Sequence, residues 1–295
     1  MSKVDYLVST QWLNDHLWDE NLRILDVTAM LTKQRENRAR QDCYDDGHIP
    51  NAVLFDVASG DGVLSDPNAA LPWTWPTVDQ FTQTMHDYGI DNETRVIIVA
   101  KSPREGIDSG TMWCTRAWWT MHHFGVDVAI LKGGVERWCE EGRELVTDSI
   151  KDISGDTFTV DDNWQRGYAD KQAVLAGLDN ATCLIDSLSS ASFDGSREGY
   201  GSRNGHITGA INIPFSELVN GETADFRSED ELAEILSGAL QEPRVITYCG
   251  AAIAATVDAF ALKLLGHQQV AVYDGSLLEW TSDASLPMTD PSAAP

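Results

Sequence analysis

The stretch Val245-Ile246-Thr247-Tyr248-Cys249-Gly250-Ala251-Ala252-Ile253-Ala254-Ala255 decides how the chain is read. Its first four residues, β-branched or aromatic, predict a short buried strand, and the Gly/Ala-rich run leads into a helix-forming segment reaching Leu265. Cys249 therefore falls at a strand-to-helix turn. The first N–H groups of a helix have no intrahelical acceptor and carry partial positive charge. They favour an anion, so a thiolate or the outer sulfur of a persulfide at the loop's centre is stabilised, and the cysteine pKa is expected to fall well below ~8.5. Small residues at 250 to 252 let the backbone close around one sulfur atom. The competing reading is a buried cysteine ending a core strand, the commoner fate of cysteine. Local sequence alone leaves both open.

Working outward, the stretch has a counterpart earlier in the chain. Val96-Ile97-Ile98-Val99 matches Val245-Ile246-Thr247-Tyr248, and Val128-Ala129-Ile130-Leu131 matches Val270-Ala271-Val272-Tyr273. Each second strand then meets glycine and tryptophan, in Gly133-Gly134-Val135-Glu136-Arg137-Trp138 and in Asp274-Gly275-Ser276-Leu277-Leu278-Glu279-Trp280. Upstream, strands ending in Asp26 and Asp186 correspond, as do Gly47-His48-Ile49 and Gly205-His206-Ile207. Such self-similarity marks a duplicated unit. Apolar runs alternating with helical patterns predict α/β units on a mostly parallel sheet in each half. The expected domains are 1–146 and 164–295, joined by a polar linker over 147–163.

A length of 295 residues suits two domains, and no apolar run approaches the ~20 residues needed to span a bilayer. The N-terminal residues carry no signal-peptide pattern, so a cytoplasmic protein is expected. The formal charge of −25, from 46 acidic against 21 basic residues, would repel nucleic acid and anionic membranes. Neither is an expected partner; the protein is expected as a monomer or weak oligomer. Cysteines 43, 114, 139, 183 and 249 are odd in number and form no CxxC pair, which disfavours a disulfide framework and a metal site. No cofactor is implied.

The order and duplication of these segments, with Ser65-Asp66-Pro67, Leu71-Pro72, the Arg116-Ala117-Trp118-Trp119 helix and Cys249 in its loop, resemble the two-domain rhodanese sulfurtransferases from about Val8 to Pro287. The resemblance implies two tandem rhodanese-like domains and a double displacement. The loop cysteine takes sulfur from a small-molecule donor, becomes a persulfide, and passes the outer sulfur to a thiophilic acceptor such as cyanide or a thiol. The position aligned with Cys249 in the first half is Ala100, so that domain is expected to be catalytically silent, with the loop Lys101 to Gly110 filling its site.

Departures from the family bear on the donor. Thiosulfate-type members carry basic residues just after the cysteine, whereas Gly250, Ala251, Ala252, Ile253, Ala254 and Ala255 are neutral. Thiosulfate is expected to bind poorly. Mercaptopyruvate-type members place a serine, a histidine and an aspartate in a proton relay. The aligned residues are Ala251, Trp73 and Asp66, of which only the aspartate is retained. A donor-binding arginine aligns with Ser192, and either Arg197 or Arg203 could replace it. Together Arg197, Arg203, Asp66, Trp73 and Ser192 are the expected substrate-binding residues. Trp73 and Trp75 would line a pocket favouring a bulkier or less charged donor.

His48 and His206 recur in both halves, including the one without the cysteine, so they are read as turn residues, and Trp138 and Trp280 as core anchors. Two other functions compete. A phosphatase loop needs an arginine where Ala255 stands, to pair with phosphoryl oxygens, which argues against that chemistry. A binding or regulatory module with little activity is the stronger rival, because the relay and one arginine are missing.

Overall fold

A computed structural model describes residues 5–102, 110–148, 157–178, 180, 182–221, 223 and 225–292. The chain divides into two units, residues 1–164 with 222–225, and residues 165–221 with 226–295. The described residues of the expected linker, 147–148 and 157–163, all cluster with the first unit. Its residues 149–156, and residues 103–109 of the loop expected to fill the silent site, lie outside the described residues.

In the first unit, β1 (Leu7–Val8), β2 (Leu22–Asp26), β3 (Ala52–Leu54), β4 (Arg95–Val99) and β5 (Asp127–Leu131) form a sheet in the order β1-β5-β4-β2-β3. Every pair in it is parallel. Around it lie α1 (Thr10–His16), α2 (Val78–Asp87), α3 (Gly110–Phe124) and α4 (Gly134–Glu140). Val96 to Val99 are fully buried, as a strand covered on both faces requires.

The second unit repeats the plan. β6 (Tyr168–Ala169), β7 (Thr182–Asp186), β9 (Ile211–Asn212), β10 (Arg244–Tyr248) and β11 (Val270–Tyr273) pair in parallel in the order β6-β11-β10-β7-β9. This is the first sheet's order, strand for strand. A separate antiparallel pair joins β8 (His206–Ile207) to β12 (Met288–Thr289). The helices are α5 (Lys171–Leu178), α6 (Ser190–Phe193), α7 (Glu229–Ile235), α8 (Ala255–Leu264) and α9 (Ser276–Trp280). The α/β fold with two parallel five-stranded sheets agrees with the sequence expectation.

Matching residues do matching work. Asp26 at the end of β2 pairs with Val99, and Asp186 at the end of β7 with Tyr248. Trp138 and Trp280 are buried, and their indole N–H groups donate to Glu144 O at 3.0 Å and Pro287 O at 3.1 Å. His48 stacks on Tyr44 and His206 on Phe193, each within hydrogen-bond reach of a backbone carbonyl. These histidines build the fold. The acidic run after Ser228 opens α7 through a capping box with Glu231, as its spacing predicts. Among the described residues, no helix is long and apolar enough to cross a membrane, and no group of His, Cys, Asp or Glu could hold a metal ion.

Candidate active site

Cys249 stands one residue beyond β10. Thr247 Oγ1 donates to Ala255 O at 2.8 Å and so ties the strand's exit to the start of α8. Between them the backbone closes tightly: Ala252 has φ +57°, a left-handed conformation that costs an L-residue about 1–2 kcal/mol. Ser276, itself left-handed at +45°, braces the turn. Its hydroxyl accepts from the N–H of Cys249 at 3.3 Å and of Ala252 at 3.0 Å, and donates to Tyr273 O at 2.8 Å. From α9, the N–H groups of Leu277 and Leu278 reach the carbonyls of Cys249 and Gly250, each at 3.0 Å. The N–H groups of Ala251, Ile253 and Ala255 are directed at the Cys249 sulfur. The loop is thus a cradle of backbone donors around one atom.

Cys249 is 2% exposed. Burial pushes its pKa up from 9.0, the three N–H groups pull it down, and the carboxylate of Asp186 pushes it up again, with the net direction upward. The expected fall in pKa is therefore corrected. Removing a thiolate from water costs more than three neutral dipoles return. Among the described cysteines no disulfide forms, and Cys43 and Cys114 are buried with thiols raised by desolvation, which makes them poor redox partners.

The second unit also holds Ser192, Arg197 and Arg203. Ser192 is buried in the short helix α6, where its Oγ lies 3.0 Å from Ser189 Oγ. Arg203 spends its guanidinium on four backbone carbonyls, those of Trp280, Thr281, Asp283 and Leu286, at 2.8–3.3 Å. It clamps the C-terminal segment in place and has little left for a substrate. Arg197 differs: it is exposed, and its guanidinium has no hydrogen-bond or ion-pair partner among the described residues.

Asp66 and Trp73 belong to the first unit. The Asp66 carboxylate accepts from Gln80 Nε2 and Asn68 N, both at 2.9 Å, and these bonds lower its pKa. Trp73 has φ +59° and is 7% exposed, with its indole N–H on Ala58 O, its carbonyl accepting from Arg116, and the Arg35 guanidinium 5.2 Å from its ring centroid. Trp75, expected to line a pocket, instead packs in an aromatic core with Phe124 and Trp164, at centroid distances of 5.9 and 6.3 Å.

Two site residues escape a reading of the sequence. Ser276 is one, hidden inside the Asp-Gly ending of the repeat. Tyr200 is the other: its ring lies against the Cα of Gly250, so that any added Cβ would collide with it. Its only sequence signal is an aromatic residue flanked by Gly199 and Gly201.

The rhodanese-like domain family model matches residues 9–141 and 170–283. The chain is 31% identical over 291 residues to the 3-mercaptopyruvate sulfurtransferase of Escherichia coli K12, covering 96% of this chain and 97% of that one. It is 30% identical over 302 residues to the sulfur carrier protein TtuD of Thermus thermophilus, covering 96% of each. Against the crystal structure of SseA, a 3-mercaptopyruvate sulfotransferase of Escherichia coli, the TM-score is 0.78 at 28% identity, over 92% of this chain and 98% of that one. Two matched units, one sheet order repeated, and a cysteine cradled by backbone donors lead to one assignment: the chain belongs to the rhodanese family of two-domain sulfurtransferases.

Proposed function

We propose that Cys249 carries sulfane sulfur as a persulfide, taken from a small donor and given to a thiophilic acceptor, cyanide or a thiol. The supporting observation is the set of three N–H groups, from Ala251, Ile253 and Ala255, on the Cys249 sulfur. The thiolate attacks the donor's outer sulfur, the bond between that sulfur and the rest of the donor breaks, and the leaving group keeps the electron pair. Cys249 then bears a terminal sulfur with the negative charge. Fixed N–H dipoles suit that charge without reorganising. The acceptor attacks the terminal sulfur, and the Cys249 thiolate is restored.

The donor belongs to the thiosulfate or 3-mercaptopyruvate class, the substrates named in the family, or is a bulkier, less charged relative of them. The neutral loop favours the last, since Gly250 to Ala255 offer no side-chain cation. Arg197 is the charge available to an anionic donor. Chemistry is confined to domain 164–295, and domain 1–146, with Ala100 at the aligned position, is silent. A weakly active binding or regulatory module is the second reading, favoured by the burial and raised pKa of the thiol.

Intact mass separates the two. After exposure to thiosulfate, 3-mercaptopyruvate or an aromatic persulfide, the wild type should gain one sulfur atom and Cys249→Ser none. No adduct with any donor would leave the binding module standing, and a clear kinetic preference for thiosulfate would sink the bulky-donor reading.

A further inference from the structure

The wall of the Cys249 loop that meets solvent is not made by the loop. Between 249 and 255 every residue is buried except Ala251, which is half-buried. Beside it stands Tyr200, 46% exposed, with its ring laid on the Cα of Gly250. The ring is placed from outside the loop: the Tyr200 carbonyl accepts from Thr281 Oγ1 at 3.4 Å, the next residue, Gly201, takes φ +109°, and Arg203 fixes the following turn to the backbone of Trp280 and Thr281. An aromatic face is therefore held beside the Cys249 loop by contacts to the backbone of Trp280 and Thr281.

The phenol shares its surroundings with the site's charges. Burial of its inner side raises its pKa, the Cys249 sulfur raises it further, and Arg197 lowers it. Tyr200 thus lies within electrostatic reach of both the nucleophile and the uncommitted cation. Arg197 itself is exposed and unpaired among the described residues. An aromatic face, a buried nucleophile and one free positive charge suit a donor with a planar apolar body and a single negative charge. They do not suit a compact dianion, which one exposed guanidinium and neutral loop side chains would meet poorly.

We propose that Tyr200 is a specificity-determining residue of this site, the surface on which the aromatic body of a monoanionic sulfur donor rests while Arg197 faces its charge. This rests on the persulfide reading of Cys249. With an arenethiosulfonate the step balances without a proton. The Cys249 thiolate bonds to the outer sulfur, the sulfur–sulfur bond of the donor breaks, and the arenesulfinate departs with the electron pair and its negative charge, leaving Cys249 with an anionic terminal sulfur.

Benzenethiosulfonate and methanethiosulfonate share a reacting group and a charge and differ in the ring. For the wild type, kcat/KM should favour the aryl donor by about tenfold, the scale of one aromatic contact. Tyr200→Phe should keep that ratio. Tyr200→Ala and Tyr200→Leu should lose most of it, through a KM for the aryl donor raised more than that for the methyl donor. A merely structural tyrosine would slow both donors alike and leave their ratio intact, which overturns the proposal, as does a wild type that does not discriminate. Intact mass of each variant after donor exposure shows whether Cys249 still gains one sulfur. An adduct without aryl preference defeats the role of Tyr200 alone. No adduct on the wild type with either donor defeats the persulfide reading beneath it.

Discussion

The loops after β4 and β10 begin alike and then diverge in structure. Ala100 and Cys249 each follow a strand whose last four residues are buried, and each carbonyl accepts an N–H from the helix that follows the neighbouring strand, from Val135 of α4 and Leu277 of α9 respectively, at 3.0 Å. The divergence begins one residue on. Lys101 sends its ammonium back to the carbonyls of Cys43 and Gly47 at 2.8 and 2.7 Å, whereas Gly250 has no side chain and receives the Tyr200 ring instead. The brace differs too. Gly134 and Ser276 occupy the same left-handed position, but only Ser276 has a hydroxyl to hold two loop N–H groups. What the two units share is sheet order and helix placement; the Cys249 loop has, in addition, a glycine, a hydroxyl brace and a run of small residues.

The largest test of that difference is Ser276→Gly, which makes the second loop resemble the first. Glycine relieves the backbone at φ +45°, yet two buried N–H groups and the Tyr273 carbonyl lose their partner. The loss outweighs the relief, and stability should fall by roughly 2–4 kcal/mol in urea denaturation. Sulfur loading of Cys249 should slow with it. Unchanged loading would mean the helix contacts from Leu277 and Leu278 hold the loop unaided.

The same contrast shows what could be read in the chain beforehand. Strand positions, the repeat and the loop cysteine were legible because β-branched runs, paired Asp and Gly-His-Ile segments report local and periodic constraints. Ser276 and Tyr200 were not, since each acts on the loop across a long sequence separation and no periodicity records that. Arg203 and Arg197 looked alike in sequence, and only the carbonyls around Arg203 distinguish clamp from free charge. The Cys249 pKa departs from its sequence expectation for a related reason. Helix-start donors are visible in sequence, while the depth of burial that opposes them is not.

Smaller effects sharpen the comparison at the strand ends. Both aspartates are buried and raised, Asp186 from 3.8 to about 6, chiefly by desolvation. Folded Asp186 holds its proton up to about pH 6 while the unfolded chain loses it near 3.8. Its contribution is fully present below that lower value and is lost as pH rises to the upper one, on the order of 3 kcal/mol across the window. Asp186→Asn should flatten the stability profile between those limits, and an unaltered slope would assign it to other carboxyls. Smaller still is Ala252→Gly. Relief of φ +57°, offset by glycine's entropy, predicts a gain below about 1 kcal/mol in a thermal melt. A clear loss would show that the methyl group packs in the loop.

The smallest expected effect tests the comparison most directly, because it places a cysteine at the matching position of the first unit. Ala100→Cys in a Cys249→Ser background puts a thiol at the matching strand exit, 3% exposed as Ala100 is. Yet the two N–H groups that follow are already committed, Lys101 N to Thr28 Oγ1 at 2.9 Å and Ser102 N to Glu136 Oε1 at 2.7 Å. Glu136 also brings negative charge toward the site. A thiolate there would be desolvated with these donors taken and a carboxylate close by, so its pKa should be raised and its nucleophilicity suppressed. Intact mass after donor exposure should show no added sulfur. An adduct at position 100 would mean that strand-exit geometry alone creates a sulfur-accepting cysteine, and that glycine, serine brace and small-residue loop only refine it.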